Sequence, residues 1–466
     1  MRMQFMHLPS SSYKLLLFIY FIIFAVSPSL ANESLSVSGR LDLLGVYELY
    51  KDSIEENASL TGKIKLDATG REWQFHSWLE GGWDGTVQRP PRDHAIFKNY
   101  DEVYQSNSPY LEFKEFYVTH TSGSLDLRVG IQRYAWGRLD EYPPNDLLNP
   151  WDYTRFLLKP LEDRKIGVPS LSATLGVAGW TYEAVWVPVF VPYRLPMPDE
   201  RWAGNSVAST IAQSVTDAEI IPQEPNLPDR KIENGTVGVR IKHTGDIEWA
   251  ANLFHGYDPR PVFTTTSLLI VPQGTKIYID PGYVPDFHKI SVVGIDAAAV
   301  SGDLSLRAEA AYTEGRYLNI RRELWGYPSI PLPGISPLNN SIEQKHNTLD
   351  YGLGADYRLF EDGLLTLQAQ QTYIFGDINQ LYEDKIETLL WANLKIGWMN
   401  QKIETNLNVS YNPEHGDNMA RANFWYIFSD FWKAGITAIT LEGPPQSIFG
   451  AYSRNDEIEV ELVYSW

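Results

Sequence analysis

The chain has 466 residues, no cysteine and a formal net charge of −19 at pH 7. The lack of cysteine excludes disulfides, cysteine-ligated metal clusters and covalently attached haem, and we expect no cofactor. The acidic charge disfavours nucleic acid and other polyanions as partners. Aromatic residues make up 13% of the chain, including 15 Trp and 27 Tyr, so their placement along the sequence is informative.

The first 31 residues have the three parts of a secretory signal peptide. A basic segment precedes an apolar run over residues 15–26, and the small residues Ser29 and Ala31 follow it. The run is shorter than the roughly 20 residues that a spanning helix needs, so a membrane anchor is the weaker alternative. We expect cleavage after Ala31 and a single domain over residues 32–466.

Beyond residue 32, apolar and polar side chains alternate in one segment after another. Such alternation is typical of strands with one apolar and one polar face. In LSLRAEAAY, residues 304–312, leucine, alanine and tyrosine occupy one parity, while Arg307 and Glu309 occupy the other. Residues 365–375 and 403–411 show the same pattern. No apolar run long enough for a spanning helix follows residue 32, which excludes a helical membrane protein.

The connections between these segments alternate between two lengths. Tight turns with Gly, Asp or Asn lie near residues 70, 123, 179, 245, 302, 362, 400 and 430. Longer polar or Pro-rich stretches occupy residues 51–57, 84–109, 135–167, 193–233, 258–286, 318–346, 376–385, 412–420 and 442–456. Eight turns and nine loops predict 18 strands. The weakest assignments are 160–195 and 262–283, where the second range forms either an extra external hairpin or two more wall strands.

This sorting of connections by length is the pattern of a bacterial outer-membrane barrel, with short periplasmic turns and long external loops. Backbone groups in lipid find no hydrogen-bond partner outside the sheet, so the sheet must close, with apolar side chains outward and polar ones toward a wet lumen. We therefore predict an all-β fold: a transmembrane antiparallel up-and-down β-barrel of about 18 strands, in contact with outer-membrane lipid.

The chain ends in EIEVELVYSW, with Ile458, Val460 and Leu462 on one face of a predicted strand. Tyr464 and Trp466 continue that face to the last residue. The segment resembles the C-terminal strand of outer-membrane proteins. The resemblance implies that Tyr464 and Trp466 form the signal that the barrel-assembly machinery binds.

Residues 125–156, LDLRVGIQRYAWGRLDEYPPNDLLNPWDYTRF, form the most distinctive stretch. The stretch resembles a largely uncharacterised family of porin-like outer-membrane barrels, akin to the alginate-export barrels. In that family a strand of the form Gly-x-Gln leads to Trp-Gly and to an Asn-Pro-x-Asp turn. The matching positions are Gly130, Gln132, Trp136, Gly137, Asn149, Pro150 and Asp152.

An 18-stranded barrel is too wide to select small solutes by itself. We therefore expect the 135–167 loop to fold inward and set the aperture of a porin that passes small hydrophilic solutes. The predicted channel-lining residues are Arg128, Gln132, Arg133, Trp136, Arg138, Asp140, Glu141, Asp146, Asp152 and Arg155. Their opposite charges, with Arg164, either create a transverse field across the opening or pair with each other to hold the loop against the wall.

Other functions are less favoured by the sequence. The oxygen-bearing side chains between Asp140 and Asp152 suggest a calcium site, but their spacing follows no calcium-loop motif. No histidine lies in a recognisable nucleophile motif, so we expect no enzymatic activity. The remaining alternatives are an exit channel for a polysaccharide or an apolar molecule, and a barrel that sheathes a partner protein. A porin would be isolated alone or as a homo-oligomer.

Overall fold

The computed structural model describes residues 34–49, 54–86, 110–196, 201–203, 218–220, 225–265, 269–273, 276–280, 283–321 and 342–466. The predicted signal peptide lies outside these ranges, so its cleavage stays a prediction. In the part of the chain that is described, no helix is both long and apolar enough to cross a membrane.

Eighteen strands form the wall of the molecule. The first nine are β1 (Ser34–Leu49), β2 (Ile54–Thr69), β3 (Trp73–Asp84), β4 (Tyr110–Ser122), β5 (Leu125–Gln132), β6 (Val168–Val177), β7 (Trp180–Val187), β8 (Thr236–His243) and β9 (Ile247–Tyr257). The other nine are β10 (Lys289–Ser301), β11 (Leu304–Asn319), β12 (Glu343–Phe360), β13 (Gly363–Ile374), β14 (Ile386–Trp398), β15 (Ile403–Asn412), β16 (Asp417–Ile427), β17 (Trp432–Glu442) and β18 (Glu457–Ser465).

Each wall strand pairs antiparallel with its sequence neighbours, and the first strand pairs with the last. In that closing pair Leu43 of β1 lies opposite Leu462 of β18. The sheet therefore has no free edge within the wall. The predicted fold, a closed antiparallel barrel of 18 strands, is confirmed.

The two faces of the wall differ as the alternation predicts. On β18, Val460 and Leu462 are exposed on the outside, whereas Glu457 and Glu459 are buried on the inside. Apolar outward residues recur around the ring, and Leu353 of β12 is 66% exposed. Exposed aliphatic side chains outside and polar ones inside are the arrangement that a barrel wall in lipid requires.

Connections of different length lie at opposite ends of the barrel. The eight turns have two to four residues each, and the nine other connections lie at the opposite end. Two of those nine, predicted as longer loops, have only four residues each. Only residues 50–53 separate β1 from β2, and only 413–416 separate β15 from β16, because the strands extend into the predicted loops 51–57 and 412–420.

The connection between β9 and β10 contains two short strand pairs outside the wall. Leu269–Gln273 pairs with Lys276–Asp280, and Val262–Thr265 pairs with Tyr283–Asp286. The extra-hairpin alternative for residues 262–283 is thus confirmed, and the alternative of twenty wall strands is wrong.

The C-terminal residue lies on the seam between β18 and β1. The backbone groups of Trp466 and Gly39 exchange two hydrogen bonds of 3.0 Å. The indole covers Gly39 so closely that a Cβ at this position would lie 2.0 Å from the ring. Tyr464 contacts the rings of Trp432 and Trp466, with centroid distances of 4.7 and 5.7 Å. The role of Tyr464 and Trp466 as an assembly signal stays a prediction.

Aromatic side chains are exposed on the outer wall near both ends of the strands, the arrangement typical of residues at a membrane interface. They include Tyr47, Trp73, Tyr312, Phe375, Trp398, Tyr411, Tyr426, Phe428 and Trp432.

Candidate functional site

The connection between β5 and β6, residues 133–167, lies against the inner face of the wall and is called the inner loop below. It begins two residues earlier than the predicted 135–167 loop. Asn149 is fully buried and holds the two ends of the inner loop together. Its Oδ1 accepts from the Tyr134 backbone N–H at 2.6 Å, and its Nδ2 donates to the carbonyls of Gln132 and Ile166 at 3.0 and 2.8 Å.

Asp152 is the second fixed point of the inner loop, and it also ties the loop to the 188–235 connection. One carboxylate oxygen accepts from the backbone and the hydroxyl of Thr154 at 3.1 and 2.5 Å. The other accepts from Arg194 at 2.8 Å. The same Arg194 donates to Glu112 of β4 at 2.9 Å. These partners hold the short turn in place between the wall and the 188–235 connection.

Glu309 on β11 binds the backbone of the inner loop. Its Oε2 accepts from the backbone N–H groups of Arg138 and Leu139 at 2.8 and 3.1 Å. Its Oε1 accepts from Asn145 N–H at 2.6 Å. The side chain is only 3% exposed. A buried carboxylate that accepts three N–H groups is a strong anchor, because hydrogen bonds to a charged acceptor are stronger than neutral ones.

The charged side chains next to this anchor form ion pairs with the wall. Arg138 donates to Asp296 of β10 at 2.6 Å, and Arg240 of β8 donates to the other Asp296 oxygen at 2.8 Å. Arg307 of β11 donates to Asp140 at 2.7 Å. The charges of Arg138 and Asp140 are thus held in ion pairs with the wall.

The tip of the inner loop reaches the far side of the ring. The Asp140 backbone N–H donates to Gln368 Oε1 on β13 at 3.0 Å, and Gln368 Nε2 donates to the Glu141 carbonyl at 2.6 Å. In the closed ring of 18 strands, β13 is eight strands from β5, where the loop begins. The loop therefore crosses the lumen.

A second branch of the inner loop contacts the wall at β16 and β18. Arg155 donates to Glu457 and Glu459 at 2.6 and 2.8 Å. These carboxylates raise the pKa of Arg155 further, although burial opposes the charge. Arg421 of β16 donates to the Leu158 carbonyl at 2.7 Å.

The return of the inner loop toward β6 includes the four-residue helix Leu161–Arg164. Asp163 in this helix accepts from Lys63 of β2 at 2.9 Å. Burial opposes the charged form of Asp163, but Lys63 and Lys114 outweigh it and lower the pKa of its carboxyl. Arg164 donates to Glu141 at 2.7 Å. Arg133, at the start of the loop, donates to Glu115 of β4 at 3.1 Å.

Lys165 and Asp146 form a further ion pair inside the loop. Burial raises the pKa of the Asp146 carboxyl despite this partner. The pair connects the middle of the inner loop, at residue 146, with the end that leads into β6, at residue 165.

Glycines on the inner wall make room for large side chains of the inner loop. A Cβ at Gly238 of β8 would lie 2.7 Å from the Trp136 ring, and one at Gly352 of β12 would lie 2.8 Å from Leu139. Trp136 is 3% exposed and donates from its ring nitrogen to Glu183 of β7 at 2.9 Å. Side chains larger than glycine at these wall positions would push the loop away.

Two apolar clusters lie between the inner loop and the wall. One contains Tyr134, Trp136, Leu148, Val168, Val185, Val187, Phe254, Ile290, Val292 and Ala311. The other contains Leu157, Leu158, Trp202, Met419, Ile439, Leu441 and Phe449. Trp202 comes from the 188–235 connection and is 2% exposed, so that connection also enters the lumen.

The structure brings most of the predicted site residues together in and around the inner loop. Arg133, Trp136, Arg138, Asp140, Glu141, Asp146, Asp152 and Arg155 all bind the wall or one another there. Two predicted residues lie on the wall instead. Gln132 is buried and donates to the Ser170 carbonyl at 2.9 Å. Arg128 donates to Thr119 at 3.1 Å and lies over the Tyr117 ring.

Sequence reasoning missed the wall partners of the loop, chiefly Asp296, Arg307, Glu309 and Gln368. The alternation places each of them on the inner face, but it does not say which inner residues the loop will reach. Asp140, Glu141, Asp146 and Asp152, the carboxylates considered as calcium ligands, each pair with a different cation. Among the described residues no three acidic or histidine side chains converge as a metal site.

Residues 49–387 match the family described as protein of unknown function (DUF1302). The chain belongs to this family. The match includes residues 125–156, and the resemblance to a porin-like, largely uncharacterised family is confirmed. No curated protein matches the chain.

Solved structures share the barrel fold. OccAB1 of Acinetobacter baumannii has a TM-score of 0.52 and 9% identity, covering 94% of this chain and 97% of that one. OccAB4 of the same organism has a TM-score of 0.49 and 9% identity, covering 93% and 99%. The outer membrane channel DcaP, also of Acinetobacter baumannii, has a TM-score of 0.43 and 9% identity, covering 94% and 98%. The likeness to OccAB1 shows a shared fold.

Proposed function

We propose that this protein is an outer-membrane channel through which small hydrophilic solutes diffuse passively, with the inner loop as its constriction. Its outer wall would contact outer-membrane lipid, and its C-terminal strand would bind the barrel-assembly machinery. The exposed aliphatic band on the wall supports the location, since water would disfavour such a surface on a monomer.

The crossing of the lumen by the inner loop is the observation that carries the proposal. Eighteen strands spaced about 4.8 Å apart and tilted about 40° enclose a cylinder about 36 Å across between backbones. Without a constriction such a lumen would pass most small solutes. The inner loop divides this lumen, because it is bound to two separate parts of the ring. Asp140 donates to Gln368 on β13, and Arg155 donates to Glu457 on β18.

The charges of the inner loop support an anchoring role more than a transverse field. Arg138 and Arg155 each bind wall carboxylates within hydrogen-bond distance. Paired charges produce a weaker field across an opening than separated ones. Asp140 is the exception, because its side chain is 44% exposed while it pairs with Arg307. Asp140 is therefore the loop charge that we expect to influence selectivity.

Reconstitution of the purified protein in planar lipid bilayers tests the proposal. We expect stepwise conductance in KCl, and Asp140→Asn should reduce the preference for cations without changing the step size by more than about twofold. Trp136→Ala should raise the conductance or its noise by loosening the loop. The absence of conductance steps from correctly folded protein would reject the channel. The same preparation would show whether the protein is a monomer or a homo-oligomer.

A second candidate is an exit channel for an apolar molecule. The specific observation in its favour is the apolar inner wall under the inner loop, including Phe254, Ile290 and Ile439. If the loop moved, these side chains would line a passage that suits apolar solutes. A protein that blocks ions but binds a fluorescent fatty acid within its lumen would support this candidate.

A further inference from the structure

One sector of the inner wall differs from the rest in having amides in place of paired charges. Four half-buried asparagines face the lumen there: Asn393 on β14, Asn406 and Asn408 on β15, and Asn423 on β16. They are called the asparagine surface below. In the strand register Asn393 lies opposite Asn408, and Asn406 lies opposite Asn423. The four side chains are therefore adjacent across three strands, at a strand spacing of about 4.8 Å.

The inner loop makes no polar contact with this sector at the level of the asparagines, among the residues that the structure describes. Gln368 on β13 and Arg421 on β16 bind the loop on either side of it. Among the described residues, no hydrogen bond or ion pair joins an inward side chain of β14 or β15 to the loop. Leu389, nearer the loop end of β14, packs against the apolar cluster of the second branch, and Trp391, between Leu389 and Asn393, is buried. The open passage past the constriction should follow β14 and β15.

The asparagine surface has unused hydrogen-bonding capacity. The Asn406 Oδ1 atom is buried and has no hydrogen-bond partner. Asn393 and Asn408 make no side-chain hydrogen bond with the described residues, whereas Asn423 donates to Thr437 at 2.8 Å. Asn393 and Asn408 are half-buried, so their unpaired amide groups are available to water or to a solute in the lumen.

We infer that the asparagine surface recognises neutral, hydroxyl-rich solutes of the sugar or polyol class and favours them over ions of equal size. A primary amide presents a donor and an acceptor side by side, and a hydroxyl group both donates and accepts, so each hydroxyl of a passing solute finds both partners. Neutral amides do not replace the hydration of a carboxylate or an ammonium group. The inference rests on the proposed channel and specifies its substrate class.

The charges closest to the asparagine surface do not favour one sign of ion. Lys395 lies opposite Asn406 in the register, and Glu404 follows on the inner face of β15, toward the turns. These two charges have opposite signs. Arg421, opposite Asn408, is committed to the Leu158 carbonyl and lies 3.7 Å from Glu459.

Liposome swelling with the purified full chain tests the inference, using glucose and the size-matched anion gluconate. Wild-type protein should pass glucose faster than gluconate. The double variant Asn406→Leu and Asn408→Leu nearly preserves side-chain size. It should lower the glucose flux about tenfold, because each lost amide should lower that flux about threefold. Gluconate flux and KCl conductance should change less than about twofold. Val409→Leu, on the outward face between Asn408 and Ser410, is the matched control and should leave all rates unchanged.

The outcomes separate the two claims. If folded wild-type protein conducts no ions and passes neither solute, the channel itself is rejected. A different result rejects recognition by the asparagine surface but not the channel. In that result the wild-type protein conducts ions, and the double variant either slows glucose and gluconate equally or slows neither.

Discussion

Replacement of Glu309 by glutamine changes the anchor of the inner loop with little change in volume. The carboxylate now accepts three backbone N–H groups, from Arg138, Leu139 and Asn145, at 2.8, 3.1 and 2.6 Å. Glutamine has one acceptor oxygen and one NH2 group. With the oxygen placed to keep the Arg138 and Leu139 bonds, the NH2 group would face the Asn145 N–H, and two donors would oppose each other.

The structure gives the size of this effect. One hydrogen bond to a buried charged group is lost, and the two that remain lose their charge assistance. The cost is about 2–3 kcal/mol, because a hydrogen bond to a charged group contributes about 1.5–3 kcal/mol. This free energy shifts the ratio of docked to undocked loop by a factor of about 30 to 140. The ion pairs of Arg138 and Arg155 remain, so we expect partial and reversible undocking.

Single-channel recording detects such undocking as excursions to a higher conductance that wild-type protein does not show. Glu314→Gln is the matched control, because Glu314 lies on the same strand but is exposed. The folded fraction should remain near that of the wild type for both variants. It is measured as the fraction of protein that resists unfolding by SDS below a set temperature. Identical recordings from Glu309→Gln and wild type would refute the role of Glu309 as an anchor.

Three further predictions concern the same loop. Arg155→Met removes the hydrogen bonds that Glu457 and Glu459 of β18 accept from Arg155, while Arg201 at 2.8 Å still pairs with Glu457 and Arg421 stays 3.7 Å from Glu459. The cost should therefore be less than the roughly 3–5 kcal/mol of an uncompensated buried charge; the temperature of unfolding in SDS should fall, and adding Glu457→Gln should restore part of it. Gly238→Ala places a Cβ 2.7 Å from the indole of the inner loop, whereas Gly176→Ala meets open space, so only the first should increase current noise. The carboxyl pKa of Asp163 is lowered in the folded protein, so its stabilisation is complete above the unfolded pKa and is lost only below about pH 4. Current noise should therefore rise in that acid range; a rise near pH 6, or one unchanged by Asp163→Asn, would contradict this assignment.

The barrel was predictable because its sequence signal is local and repeated. Each strand carries its own alternation, as Arg307 and Glu309 do opposite the apolar positions of β11. Each connection carries its own length, so errors do not accumulate along the chain. Strand ends were less predictable. The loops 51–57 and 412–420 were expected to be longer, because polar residues at the end of a strand look like loop residues when they face water.

The site was only partly predictable. Residues of the inner loop stood out through local composition, including the Asn149-to-Asp152 turn. Their partners on the wall did not, because Asn145 and Glu309 are far apart in sequence and meet only in three dimensions. Asparagines on β14 and β15 also gave no signal, since an isolated inward amide is ordinary in any barrel strand. They form a surface only because the strand register places them side by side. They can contact a solute only because the inner loop does not bind them, and neither fact can be read from the sequence.

The inner loop also has a mechanical consequence. A wide cylinder made of a single sheet flattens easily under sideways load, because neighbouring strands can pivot about their shared edge. The hydrogen bonds from one loop to β11, β13 and β18 act as internal struts between parts of the circumference that do not touch. The cross-section should therefore stay round when the thickness or tension of the surrounding bilayer changes.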